Sequence, residues 1–236
     1  MAQRKARRTL SILDKTKKHS QFDYTEIYRH IRTNIEFSTV GKELKSISIT
    51  STQPGEAKST TSINLAYIFA AKYDKVLVID CDLRKRMLHK YMKMSNKSGL
   101  TDALLEFGRT KRYNPEFFQT FDDSSFSGEL TVLTGGSHVP NPSELLGSDV
   151  FKEYMDVLKQ RFDFIICDCA PVGTISDAIP VGNAVDGTIF VVSAKDTNRK
   201  DAANCVKLLQ RSNVNVLGSV ITKADTGSGK YNYYYY

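Results

Sequence analysis

The 236-residue chain has no tryptophan, and only four histidines, four cysteines and six prolines. The cysteines are Cys81, Cys167, Cys169 and Cys205. Their spacing matches no common zinc pattern, and histidine is too scarce to complete one, so buried, reduced thiols are expected. No run of eighteen apolar residues occurs, which excludes a membrane-spanning helix. Residues 1–21, MAQRKARRTLSILDKTKKHSQ, lack the apolar stretch of a secretory signal, so the chain is expected to stay in the cytoplasm. There is no internal repeat and no second domain boundary. With 41% hydrophobic and 25% charged residues, the composition is that of one globular domain.

Positive charge is concentrated at one end. Residues 1–18 hold seven Lys or Arg against one Asp, whereas the whole chain carries a net +7, so the remainder is nearly neutral. Residues 1–22 thus read as a basic arm, either a solvated leader or a contact for an anionic surface such as lipid headgroups or nucleic acid.

Short runs rich in β-branched residues lie at 46–51, 75–80, 130–135, 162–168, 187–193 and 215–221. Several are apolar on successive residues without alternation, the pattern of strands buried on both faces of a parallel sheet. Helical spacing separates most of them, at 59–73, 141–161 and 196–212, and a further helix is expected over 23–38 with Ile27, Ile31 and Ile35 on one face. The polar, aromatic stretch 112–129 reads as an irregular excursion. Alternating strands and helices predict a doubly wound, mostly parallel α/β domain over 23–225, with ligands at the carboxyl ends of its strands.

Chemistry collects at those ends. After the first strand comes TSTQPGEAKSTTS, a strand–glycine loop–helix with Lys58 and Ser59 at the K-[ST] position of a phosphate-binding loop. Gly55, Glu56, Ala57, Lys58, Ser59 and Thr60 are the candidate ATP-binding residues. Loop and helix amides point at phosphates, Lys58 places a charge on the β- and γ-phosphates, and the Ser59 hydroxyl ligates Mg²⁺. Ala57 stands where the pattern has Gly, and a positive φ there would strain the backbone by about 1 kcal/mol. The second expected strand leads into VLVIDCDLRKR, with Asp80 and Asp82, and the fourth ends in FIICDCAPV at Asp168. A carboxylate at the end of an apolar strand is costly unless it meets a cation, and nucleotide-bound Mg²⁺ supplies one.

These segments together resemble the bacterial tyrosine kinases of capsule and exopolysaccharide synthesis. The resemblance covers nearly the whole chain from about Tyr24. It comprises EIYRHIRTNIEFS as the family's E-x-x-R-x-x-R-T-N segment, STQPGEAKST as Walker A, VLVIDCDLRK as Walker A′ and FDFIICDCAPV as Walker B, with HKYM, GLTDALL, NPSELL and SDAIPVGNAVDG in the family's order. Departures are Ala57, Cys169–Ala170–Pro171 in place of the common Thr-Pro-Pro, and Thr222 where Asn is common.

The resemblance implies transfer of the ATP γ-phosphoryl group to a tyrosine hydroxyl. Asp80 is then the candidate base, with Asp82, Asp168 and Ser59 organising Mg²⁺; the two roles of Asp80 and Asp82 are interchangeable at this level. Arg84, Lys85 and Arg86 are candidates for phosphate or partner contact, or simply a solvated basic loop. The resemblance also implies a homo-oligomeric ring joined through Glu26, Arg29 and Arg32, and docking of a membrane-anchored activator's cytoplasmic tail at the inner face of the cell membrane. That would set the basic arm near anionic lipid, with no role for nucleic acid. The chain ends in KYNYYYY after the linker-like TGSGK, so residues 226–236 read as a flexible tail. Tyr231, Tyr233, Tyr234, Tyr235 and Tyr236 are the implied autophosphorylation sites. From residue 225 the tail can span about 40 Å, enough to reach a neighbouring subunit's site.

Two other functions are compatible with the loop. Partition and division-site ATPases share the fold but carry a second Lys near the start of the loop, where this chain has Thr52-Gln53-Pro54. A nucleotide-binding scaffold with little transferase activity is the other, and Ala57 is the feature that favours it.

Overall fold

The structure, a computed structural model, describes residues 24–38, 43–122 and 127–224. The basic arm and the tyrosine cluster lie outside the described residues. In chain order the elements are α1 (Tyr24–Phe37), β1 (Ser46–Ser51), α2 (Lys58–Ala70), β2 (Lys75–Asp80), α3 (Leu88–Tyr91), α4 (Leu100–Thr110), β3 (Gln119–Phe121), β4 (Glu129–Leu133), α5 (Pro142–Gly147), α6 (Asp149–Lys159), β5 (Phe164–Asp168), α7 (Ala178–Ala184), β6 (Gly187–Ser193), α8 (Arg199–Arg211) and β7 (Val216–Thr222).

Among the described residues, one sheet of seven strands runs β3-β4-β2-β5-β1-β6-β7. Every pairing is parallel except β3–β4, which is antiparallel. The unalternating apolar runs are explained by two-sided burial. Along β2, Val76 and Val78 join a core with β1, α1 and α2, while Leu77 and Ile79 face α4, α6 and α7 across the sheet. Phe69 of α2 stacks on Phe164 of β5, ring centroids 3.9 Å apart. No helix of the described residues is long and apolar enough to cross a membrane. All four cysteines are free and buried.

Three local readings are corrected. The stretch expected to be irregular contains a short 3₁₀ turn, Pro115–Phe117, capped by the Asn114 side chain, and then the edge strand β3. A three-residue run is too short to show a period of two. Asp168 therefore closes the fifth strand in chain order, not the fourth. The single helix expected over 141–161 is two, because Ser148 is extended (φ −72°, ψ 155°). Its hydroxyl donates to Leu145 O at 2.7 Å, closing α5, and accepts from Phe151 N at 3.2 Å, opening α6.

Asp186 ties the start of β1 to the start of β6. One of its carboxylate oxygens accepts from Lys45 N (2.9 Å), Ser46 N (2.8 Å) and Ser46 Oγ (2.9 Å), and the other from Lys159 Nζ (2.9 Å). Partial burial disfavours its charge, but these donors outweigh that and hold its carboxyl below the ordinary range. A depressed folded pKa contributes stability above the unfolded value, about 3.9, that is lost as pH falls through the folded one. Asp186→Asn is predicted to lower unfolding free energy by about 1–2 kcal/mol at pH 7. In urea titrations that difference should narrow progressively below about pH 4.

Candidate active site

The carboxyl ends of β1, β5 and β2 lie side by side, and the loop after β1 runs into the N-terminus of α2. Gly55 (φ 89°) and Ala57 (φ 67°, ψ 25°) both take left-handed backbone conformations. The strain that Ala57 would carry under a positive φ is therefore present. Ala57 offers no side-chain cap to α2, so the first-turn amides, which have no intrahelical acceptor, are left to face the cleft. That cleft has a volume of about 480 Å³, with Gly55, Ala57, Lys58, Ser59 and Thr60 on one wall and Asp82, Lys85, Met87, Tyr91 and Asp168 among its other lining residues.

Lys58 sits at its floor. Its Nζ lies 3.3 Å from Asp82 Oδ2, 3.4 Å from Asp168 Oδ1 and 3.3 Å from Ser59 Oγ. Burial works against the ammonium, but Asp168, Asp82 and Asp80 reverse that and hold its pKa above the ordinary lysine range. Burial raises the Asp168 carboxyl, opposed by Lys58, Ser59 and Ser62. Asp80 is fully buried and its carboxyl is pushed up to about 8, by desolvation first and by the charge of Asp168 second. One Asp80 oxygen accepts from Leu88 N at 3.0 Å, and the other, Oδ1, is buried without a partner.

The structure thus brings Lys58, Ser59, Asp82 and Asp168 together. Asp80 lies adjacent to this group, and does not line the cleft. Glu56 turns its side chain away: it is 1% exposed, and its carboxylate accepts from Gln53 N at 3.0 Å and from the Thr197 hydroxyl. Thr222 Oγ donates to the Glu56 carbonyl at 2.9 Å. In the basic loop, Arg84 is committed to Asp177 (Nε–Oδ2 2.7 Å) and Arg86 to Gly136 O (3.1 Å), leaving Lys85 at the cleft. On α1, Glu26 and Arg29 pair with each other on the exposed face, while Arg32 is turned inward, with Nη1 on Ile68 O at 2.9 Å. Ser62, whose hydroxyl is 3.0 Å from Asp168 Oδ1, was missed by motif reading. Its position one helical turn after Lys58 was the available signal.

The donor set fits a magnesium nucleotide. Two buried carboxylates already gather around a cation, and an adjoining carboxylate oxygen is unpartnered. The strand–loop–helix and the strand-end aspartates define a phosphate-binding-loop nucleotide domain, and residues 44–189 match the AAA domain family, AAA_31. The chain is 39% identical over 211 residues to tyrosine-protein kinase YwqD of Bacillus subtilis, covering 89% of this chain and 86% of that one. The kinase domain of the Escherichia coli tyrosine kinase ETK superposes with a TM-score of 0.80 at 28% identity, covering 98% of this chain and 88% of that one. The chimerical protein CapA2B2 does so with a TM-score of 0.77 at 31% identity, covering 91% and 90%. The chain belongs to the bacterial tyrosine-kinase family. The septum site-determining protein MinD from Pyrococcus horikoshii, at 22% identity and TM-score 0.59, shares the fold alone.

Ala57→Gly should relieve about 1–2 kcal/mol of left-handed strain while adding about 0.5–1 kcal/mol of chain entropy to the unfolded state. The expected result is a gain of about 0.5–1 kcal/mol in urea unfolding without nucleotide. A loss of stability would contradict the strain at this position.

Proposed function

We propose that this protein is an ATP-dependent tyrosine kinase acting in capsule or exopolysaccharide synthesis, and that its acceptors are the C-terminal tyrosines Tyr231, Tyr233, Tyr234, Tyr235 and Tyr236 of a neighbouring copy. The observation that carries this reading is the Lys58 ammonium held between Asp82 and Asp168 at the mouth of a phosphate-binding loop, in a chain 39% identical to a tyrosine-protein kinase.

The loop amides and Lys58 would bind and orient the β- and γ-phosphates, and Ser59, Asp82 and Asp168 would hold Mg²⁺. Bound there, Mg²⁺ supplies charge neutralisation at the transferring phosphoryl group. The acceptor phenol, with a pKa near 10, needs a proton acceptor as it attacks. Asp80, at the end of β2 beside the cleft, is the candidate that the family resemblance implies, and Asp82 is the alternative that lines the cleft itself. Asp80→Asn and Asp82→Asn separate the roles: loss of the base flattens the rise of rate with pH, whereas loss of a metal ligand raises the Mg²⁺ concentration required.

Assembly follows the same reading. Glu26 and Arg29, exposed on α1, are available to a neighbouring subunit in a ring, whereas Arg32 would act by fixing α1 onto α2. A membrane-anchored activator whose cytoplasmic tail docks on the kinase would bring it to the membrane, and the basic arm of residues 1–22 would favour anionic lipid. Each added phosphate brings roughly −1.5 to −2 charges, so a phosphorylated tail would be repelled by its fellows and would loosen the ring. The absence of Lys from Thr52-Gln53-Pro54 disfavours a partition-type ATPase.

The test is tandem mass spectrometry of the C-terminal peptide after incubation with Mg-ATP and an activator tail. Phosphotyrosine is expected, and Lys58→Met should reduce it by about 100-fold or more. Phosphate release with no phosphotyrosine would refute the kinase reading.

A further inference from the structure

The left-handed Ala57 must be held by something, because a strained residue persists only where its surroundings over-determine it. The peptide entering it is fixed from both sides. The Thr222 hydroxyl donates to the Glu56 carbonyl, the oxygen of the Glu56–Ala57 peptide itself, at 2.9 Å; it also lies 3.2 Å from Val192 O. The Glu56 carboxylate, 1% exposed, closes the loop back on Gln53 N and across to the Thr197 hydroxyl. On the far side, Thr61 N and Oγ reach the Ala57 carbonyl at 2.9 and 3.0 Å. Thr197 in turn is held against Ser193 N at 2.7 Å, and Gln53 Nε2 against Asp196 O at 2.9 Å. The loop that would receive the phosphates is therefore seated on the β6–α8 connection and on the last residue of β7.

We infer that Thr222 and Glu56 are positioning residues that preset the phosphate-binding loop by holding the Glu56–Ala57 peptide, and that Thr222 is energetically coupled to Ala57. A Gly at this position would adopt the left-handed conformation with little cost and would not need the restraint. Ala does need it: once the carbonyl is released, the peptide gains by rotating away, and the amides of α2 lose their shared direction. Neither side chain needs to touch the nucleotide. The effect on phosphate binding rests on the nucleotide-binding reading above, whereas the coupling itself is a property of the unliganded chain.

The experiment is a double-mutant cycle on the full chain: Thr222→Val and Thr222→Ser, each in the native sequence and in the Ala57→Gly background. Affinity for Mg-ATP is measured by calorimetry, and the thermal midpoint without nucleotide by circular dichroism. Thr222→Val is expected to weaken Mg-ATP binding about fivefold in the native sequence, the equivalent of one ordinary hydrogen bond, and by less than about twofold in the Ala57→Gly background. Thr222→Ser, which keeps the donor, should restore affinity. Glu56→Ala should show the same dependence on background. KM for ATP should rise more than kcat falls, because the loss is in ground-state positioning and not in the reacting groups. Equal losses in both backgrounds, or no loss in the native sequence, would overturn the inference. If the chain binds no Mg-ATP, the proposed function fails while the midpoints still decide the coupling. A smaller fall for Thr222→Val in the native sequence than in the Ala57→Gly background, because rotation of the peptide recovers the strain at Ala57, supports it, and equal falls refute it.

Discussion

Charge balance at the carboxyl edge of the sheet is the constraint on which the rest of this structure depends. Asp80, Asp82 and Asp168 are each at most 4% exposed, in surroundings where an unpaired carboxylate is strongly disfavoured. The Lys58 ammonium reaches two of them, and its own charge survives burial because they surround it. Asp80, desolvated by burial and set beside the charge of Asp168, has a raised proton affinity that its one backbone donor, Leu88 N, only partly offsets. An ammonium and a divalent cation meet the same electrostatic need, so the same geometry that balances the buried charge of the unliganded protein also suits a magnesium nucleotide.

The scaffold makes this arrangement possible by placing β1, β5 and β2 next to one another. β1 delivers the loop, β5 ends at Asp168, and β2 ends at Asp80 and leads to Asp82. Burial of these strands by helices on both faces makes their ends reproducible in position. The cleft then opens where a doubly wound sheet places its ligands.

The loop adds a cost of its own. Ala57 occupies a backbone region where glycine is at ease, and it stays there because its neighbours hold both adjoining peptide groups. One of those neighbours is Thr222, 166 positions away in the chain from Glu56. A mechanically ordinary residue at the end of the last strand thus bears on the geometry of the first loop.

What could be read in the chain follows the range of the interactions involved. Buried strands, the loop with Lys58 and Ser59, and the strand-end aspartates were legible, because each is written in a contiguous segment whose pattern reflects local geometry and burial. The edge strand β3 was not, since three residues carry no period. The break at Ser148 was not, because its hydroxyl serves two helix ends at once. The inward turn of Glu56 and Arg32, the commitment of Arg84 to Asp177, and the left-handed φ of Ala57 were settled only in the folded chain. In each case the deciding partner is distant in sequence: Thr197 for Glu56, Ile68 for Arg32, Asp177 for Arg84, and Thr222 for the peptide before Ala57. Sequence by itself determined which chemical groups are present and which strands carry them; tertiary structure decided which way they point, because direction is set by hydrogen-bond partners that only the packed sheet brings within reach.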